Sequence, residues 1–223
     1  LVLCIGHSAR DTWDWLAAGG VAMEAKPFQV GVRVEHPQEL ITRGRYGPDP
    51  LAGVLGPASY NLQSRADVPA HSFCMCPGGR IVASVSESGG LCTNGMSNSR
   101  HSSRWAISAL VTTLDPTAVG ALGHTGPMAG VGLQRDLERR FFDAGGGTYA
   151  APAQRASDFL RGQRSSGDLR TSYGFGASPA RVDQLLPERV RDAIAGALSR
   201  FDRAIPGFAG EDGLLVGIET RSS

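Results

Sequence analysis

Between Lys26 and His36 the chain alternates. Phe28, Val30, Val32 and Val34 stand against Gln29, Gly31, Arg33 and Glu35. A period of two marks a strand with one face buried, so a half-buried strand is expected here. His36-Pro37 breaks it, and a short helix from Gln38 to Arg43 follows. Upstream, LVLCIG reads as a buried strand and SARDTWDWLAAGG as the helix after it. Ser8 is its expected N-cap, Asp11 supports the first turn, and Gly19 or Gly20 ends it.

From His71 to Leu114 the pattern is β throughout. HSFCMC, RIVASVS, LCTNG and WAISALVTTL read as short strands separated by glycine pairs, most simply an antiparallel meander. Pro77-Gly78-Gly79 and Asn94-Gly95 are then its turns. The 3.6-residue period returns after Pro127, where Leu133, Leu137, Phe141 and Ala144 share a stripe that Gly145 stops. Further helices are expected over Pro152 to Arg161 and from Pro187, the latter with Val190, Ile194, Leu198 and Phe201 on one face. GLLVGIET is the last strand. The Gly/Pro-rich stretch Gly44 to Pro57 and the aperiodic GQRSSGDLRTSYGFGASPA read as loops, the second a mobile one. The sum is an α+β architecture: an antiparallel β-sheet with about four helices.

Composition narrows the function classes. The 223 residues suffice for one large domain or two small ones. A hydrophobic share of 41% and a charged share of 19% are those of a soluble globular chain. The net charge of +1 and a single lysine, Lys26, provide no basic stripe for nucleic acid or a membrane surface. LVLCI is too short for a signal-peptide core or a bilayer span. Four cysteines without a secretory signal imply free thiols in a reducing cytoplasm. The chain opens without Met in strand-like sequence and closes on a strand barely completed, so it is expected to be a piece of a longer protein.

Two stretches carry candidate chemistry. CIGHSAR is a strand-to-helix junction, which turns free N–H groups and a helix dipole toward an anion such as a nucleotide phosphate. The full G-x-G-x-x-G pattern is absent, and ordinary junctions look the same. Cys74 and Cys76 sit at i and i+2 on an expected strand, so their side chains would share a face. Their Cα atoms would be about 6.5–7 Å apart, at or beyond the disulfide limit. Three readings remain: small apolar residues, a site-lining or redox pair, or a zinc site with His71 and Cys92 that lacks a second tight ligand pair. Gly78 and Gly79 serve a turn and would also let a flat ligand approach the backbone. His36, His101 and His124 lie in loop-like surroundings, and neither G-x-S-x-G nor H-E-x-x-H occurs, so a hydrolase has little support.

Taken together, IGHSARDTWDWL, GGVAMEAKPFQVGVRVEHPQELI, FCMCPGGRIVASVSESGGLCTNGMSNS, LQRDLERRFFDAGGGTYAAPAQRASDFL and LLVGIETRSS resemble a known family over nearly the whole chain. It is that of the uncharacterised bacterial FAD-dependent dehydrogenases, NAD/FAD-utilising flavoproteins with a glutathione-reductase-type FAD domain. The resemblance implies an inserted substrate domain: residues 1–20 as a remnant of the FAD fold, 21–212 as the insertion, and 213–223 as the strand returning to that fold. It implies hydride transfer at a flavin, with NAD(P)H or another electron donor as partner. It places cofactor contacts at Gly6, His7, Ser8, Gly78 and Gly79, and strengthens Cys74 and Cys76 as site-lining candidates. FAD would belong to the full-length protein and be absent from this piece, which would be inactive alone. The family pattern leads one to expect smaller or more polar residues where Trp105 and Ile107 stand.

Overall fold

In chain order the elements are α1 (Arg10–Ala18), β1 (Phe28–Pro37), α2 (Gln38–Tyr46), α3 (Ala52–Leu55), β2 (Gln63–Ser64), β3 (Ala70–Ala83), β4 (Thr93–Ser97) and β5 (Trp105–Leu114). There follow α4 (Pro116–Ala121), α5 (Ala129–Ala144), β6 (Ala151–Arg155), α6 (Ala156–Arg161), β7 (Ala177–Pro179), α7 (Val182–Leu185), α8 (Glu188–Ala204) and β8 (Leu214–Ser222). The structure is a computed structural model, and it describes residues 2–6, 8–48 and 52–222. The strands form one sheet in the order β2-β3-β5-β1-β8-β6-β7, with β4 attached to β3. Pairing is antiparallel except between β6 and β7. The architecture is thus α+β, as expected. Four helices have nine or more residues; among the described residues four shorter ones join them.

β1 is the sheet's axis, and the alternation understates its burial. Residues Val30 to His36 are all buried, on both faces. The even positions face α8: Phe201 meets Phe208 edge-on at 5.6 Å, and Phe208 lies 4.3 Å from the His36 ring. Val190, Ile194, Leu198 and Phe201 form the expected stripe of α8. The odd positions are covered by β3 and β4, which fold back over the sheet. β3 pairs with β5 from His71 to Gly79 and with β4 from Gly79 to Ala83. Two register shifts turn it away from β5 between Phe73 and Gly79. Thr93 then reaches β8, its Oγ1 donating to the Ile218 carbonyl at 3.0 Å. A half-buried strand has become a fully buried one because a hairpin covers its polar face.

Pro77-Gly78-Gly79 is therefore no hairpin turn; it lies within a continuous β3. Asn94-Gly95 likewise lies inside β4. Both corrections have one cause: glycine serves bulges and close backbone approach as well as turns. LVLCIG is not a strand. Residues 2–6 have no regular structure, and Val2, Leu3 and Ile5 are exposed with no described strand beside them. Ser8 does not cap α1; the N-cap is Ala9, and no side chain caps it. The helix expected from Pro152 begins only at Ala156, because Ala151–Arg155 pair with β8 and β7. A proline read as a helix opener here biases the preceding residue toward extended backbone instead. The segment expected to be mobile, residues 162–180, is aperiodic yet anchored, with Leu169 and Tyr173 buried.

Candidate functional site

The polar face of β1 is a layer of buried charge. Arg33, 1% exposed, donates to Glu219 Oε2 from Nε at 2.9 Å and from Nη2 at 2.5 Å, and Nη2 also reaches Asn94 Oδ1. Its Nη1 has no hydrogen-bond partner. Two residues on, Glu35 is fully buried. Both of its carboxylate oxygens face Ser172, whose backbone N–H donates to Oε1 at 2.9 Å and to Oε2 at 3.1 Å. The Ser172 hydroxyl also donates to Oε2 and accepts from the Ile81 N–H at 2.8 Å. Burial raises the Glu35 carboxyl from 4.5 to about 7, against the Ser172 and Thr171 hydrogen bonds and the charge of Arg104. Such a carboxyl exchanges its proton near neutrality, as groups at functional sites often do.

Beside this layer lies a cleft of about 660 Å³. Pro37 and Gln38, at the junction of β1 and α2, form one side, and Asp168, Leu169 and Arg170 form another. Arg104 and Trp105 open β5 into it, the guanidinium 4.8 Å from the indole ring centre. Arg155 ties the 168–170 wall down, donating to the carbonyls of Ser166 at 2.7 Å and Asp168 at 3.1 Å. Glu39, Glu211 and Asp212 bring negative charge to the rim. An aromatic surface with cations and carboxylates around it suits a small ligand carrying both apolar and charged parts.

The sequence-derived candidates are distributed differently. Cys74 and Cys76 do not share a face. Phe73 pairs with Ala109 and Cys76 with Ile107, so three steps on β3 match two on β5. Cys74 takes a φ of +47°, which leaves it exposed while Cys76 is buried. Burial and the neighbouring Cys74 push the Cys76 thiol to about 11, and burial does the same for Cys92. Both are thiols rather than thiolates at neutral pH, hence weak nucleophiles. Among the described residues no three His, Cys, Asp or Glu side chains converge as metal ligands, so His71, Cys74, Cys76 and Cys92 form no zinc site.

The space at Gly78 is filled from within the chain. At φ +54°, a Cβ there would lie 1.8 Å from the His101 carbonyl oxygen, and one at Gly79 would lie 2.8 Å from the Cys76 Cβ. Gly6, at φ +71°, faces open space. Ser8 precedes α1, which packs by α5, whereas the Gly78 N–H donates to Gln38 beyond the other end of β1. His7 lies outside the described residues. These candidates converge on no cradle that encloses a flavin among the described residues. By themselves they do not fit the cofactor.

Sequence reasoning missed Glu35, Ser172 and Arg104. Glu35 was one of the polar positions of the β1 alternation, and the signal that singles it out is its place beside Arg33 in a strand that turned out to be central. Ser172 sat in a segment without periodicity. Trp105 was noticed for its size, and it lines the cleft; Ile107 belongs to the core.

Comparison with known proteins bears on the same residues. The family described as "FAD-dependent protein, C-terminal domain-like" matches residues 27–222, from just before β1 to β8. A Clostridium beijerinckii protein described as "Uncharacterized protein" is 42% identical over 228 residues, which cover 100% of this chain and 42% of that protein. The chain thus spans less than half the length of the curated relative it matches. A domain match over most of the chain, from β1 through the cleft to β8, establishes the assignment: the chain belongs to the family of FAD-dependent proteins, C-terminal domain-like.

Proposed function

We propose that this chain is the substrate-facing domain of an FAD-dependent oxidoreductase, a dehydrogenase, and that its ligand enters the cleft between Trp105 and the 168–170 wall. The observation that carries the reading is this cleft, built on the family's own domain with Arg104 over Trp105 at its mouth. The flavin is held by the remainder of the longer protein, with Gly6, His7 and Ser8 contributing at the crossing between the two parts. Residues 1–20 and 213–223 are the segments through which the insertion, 21–212, meets the FAD fold, the second of them also supplying β8 to the insertion's own sheet. Support for two adjacent crossings comes from Glu138, which accepts from Arg10 at the start of α1 and from Thr220 near the end of β8.

What this chain's own residues do is bind and orient. Trp105 offers a flat apolar surface, Arg104 a cation above it, and Leu169 closes the side away from water. Cys74 is exposed on β3 and Cys76 is buried, and neither is among the residues that line the cleft; a site-lining role for them rests on the family resemblance. NAD(P)H or another electron donor is the redox partner, and the cytoplasm the location.

Anaerobic addition of NADH or NADPH to the longer protein tests the oxidoreductase reading. Bleaching of the bound flavin's visible band by either donor is the expected result. A flavin that neither donor reduces, and that dithionite does, excludes a nicotinamide donor, and a longer protein that holds no flavin overturns the oxidoreductase reading.

A further inference from the structure

The bulge in β3 changes what the C-x-C pair can do. On an extended strand the two Cα atoms would stand at or beyond the disulfide limit. Here three steps from Phe73 to Cys76 face two on β5, and Cys74 takes a φ of +47°. Among the described residues only Cys74, His101 and Tyr149 have a positive φ without being glycine, a conformation held at a cost in strain. The Cys76 side chain folds back along the bend, its thiol donating to the Cys74 carbonyl at 3.4 Å. The two side chains leave the strand on different faces, yet the Cys74 thiol is near enough to act on that of Cys76.

A second observation comes from beneath the pair. Arg33 is 1% exposed and gives Nε and Nη2 to Glu219 and Asn94, but its Nη1 has no hydrogen-bond partner. That nitrogen lies by the Cys76 sulfur: a Cβ at Gly95 would be 2.9 Å from Nη1 and 3.4 Å from Cys76 Sγ. A buried N–H without an acceptor is costly, and a thiolate at Cys76 would supply one. Burial and Cys74 hold the Cys76 thiol protonated at rest, while the Arg33 charge acts the other way. Once Cys74 is bound in a disulfide it no longer ionises, and one of the two opposing influences is gone.

We propose that Cys74 and Cys76 are a redox-active dithiol that exchanges with small-molecule disulfides, Cys74 attacking and Cys76 resolving beside Arg33. Cys74, exposed, loses its proton and attacks one sulfur of the incoming disulfide. That S–S bond breaks, a mixed disulfide forms on Cys74, and the departing thiolate takes up the proton. Cys76 then loses its own proton and attacks the Cys74 sulfur, and the second departing thiolate takes up that proton. Two protein thiols are oxidised to one disulfide, and the small disulfide is reduced to two thiols. The dithiol does not rest on the oxidoreductase reading, since the exchange involves no flavin.

Glutathione disulfide at pH 8, followed by acid quenching and peptide mass mapping, tests it. Cys4 is exposed like Cys74 and serves as the comparison within the same chain. In the native chain Cys4 should keep a glutathione adduct, while Cys74 and Cys76 are recovered joined to each other. Cys76→Ser should leave the adduct on Cys74, and Cys74→Ser should leave Cys76 a free thiol. Arg33→Met combined with Glu219→Gln removes the buried pair without stranding a charge. In that variant the Cys74 adduct should form at the native rate and resolve about tenfold more slowly at pH 7. A native chain whose Cys74 adduct lasts as long as that on Cys4 overturns the proposal. A folded double variant that resolves at the native rate overturns the part given to Arg33.

Discussion

The two oxygens of Glu138 are held by two nitrogens of Arg10, 128 residues away: Nη1 donates to Oε2 at 2.9 Å and Nη2 to Oε1 at 2.8 Å. Both residues are 2% exposed. Glu138 Oε1 also accepts from Thr220 Oγ1 at 2.7 Å, so α1, α5 and β8 meet at one carboxylate. Burial alone would lower the Arg10 pKa, but the contacts with Glu138 and Glu87 more than offset that and raise it. Removing one member leaves the other's charge buried. Arg10→Met should therefore cost about 3–5 kcal/mol, read as a lower denaturant midpoint. A loss under about 1 kcal/mol would mean that α1 detaches freely and that Glu138 is rehydrated.

Glycine substitutions separate close approach from spare room. Gly78→Ala would put a Cβ against the His101 carbonyl at a positive φ, and should prevent a stable fold or shift the midpoint by several kcal/mol. Gly120→Ala, inside α4 with nothing within 4 Å, should stabilise by about 0.5–1 kcal/mol. Thermal unfolding of the two variants checks this. Equal midpoints would contradict the path of β3.

Glu35 and His36 are neighbours with opposite linkage. Burial raises Glu35 to about 7, so its folded form favours the proton, and stability is lost as pH rises from 4.5 toward 7. Burial lowers His36 to about 4, so its folded form rejects the proton, and stability is lost as pH falls from 6.5 toward 4. Between pH 4.5 and 6.5 the two slopes oppose each other at about 1.4 kcal/mol per pH unit each. Glu35→Gln should expose the His36 slope alone, making the variant gain on the native chain by about 3 kcal/mol between pH 4.5 and 7.5. Parallel stability curves for the two would contradict the burial of Glu35.

The four thiols should divide into two classes. Cys4 and Cys74 are exposed, while Cys76 and Cys92 are buried and raised to about 11. A thiol reagent at pH 7.5 should label two groups quickly and the other two only on unfolding. Rapid labelling of Cys76 would contradict the bulge that turns it inward.

How legible these features were depended on distance along the chain. The stripes of α5 and α8 and the alternation of β1 are local patterns, and each element formed where its period placed it. The resemblance carried by FCMCPGG and its neighbouring strings agrees with the family match. The path of β3 was hidden because Gly78 reads as a turn until His101 is known to lie against it. The burial of Glu35 was hidden for the same reason: Ser172 approaches it from 137 residues away, out of a segment with no periodicity. Trp105 was visible only as an unusual size, and it takes its meaning from Arg104 and the cleft.

On the proposal that this sequence is one part of a longer flavoprotein, flavin content is the most direct measure of the account, comparing that longer protein with the 223-residue chain alone. The longer protein should purify with about one FAD per chain. The shorter should fold around the Arg10–Glu138 and Arg33–Glu219 pairs and remain colourless. A longer protein without flavin would contradict the account, as would a short chain that binds FAD in equal measure.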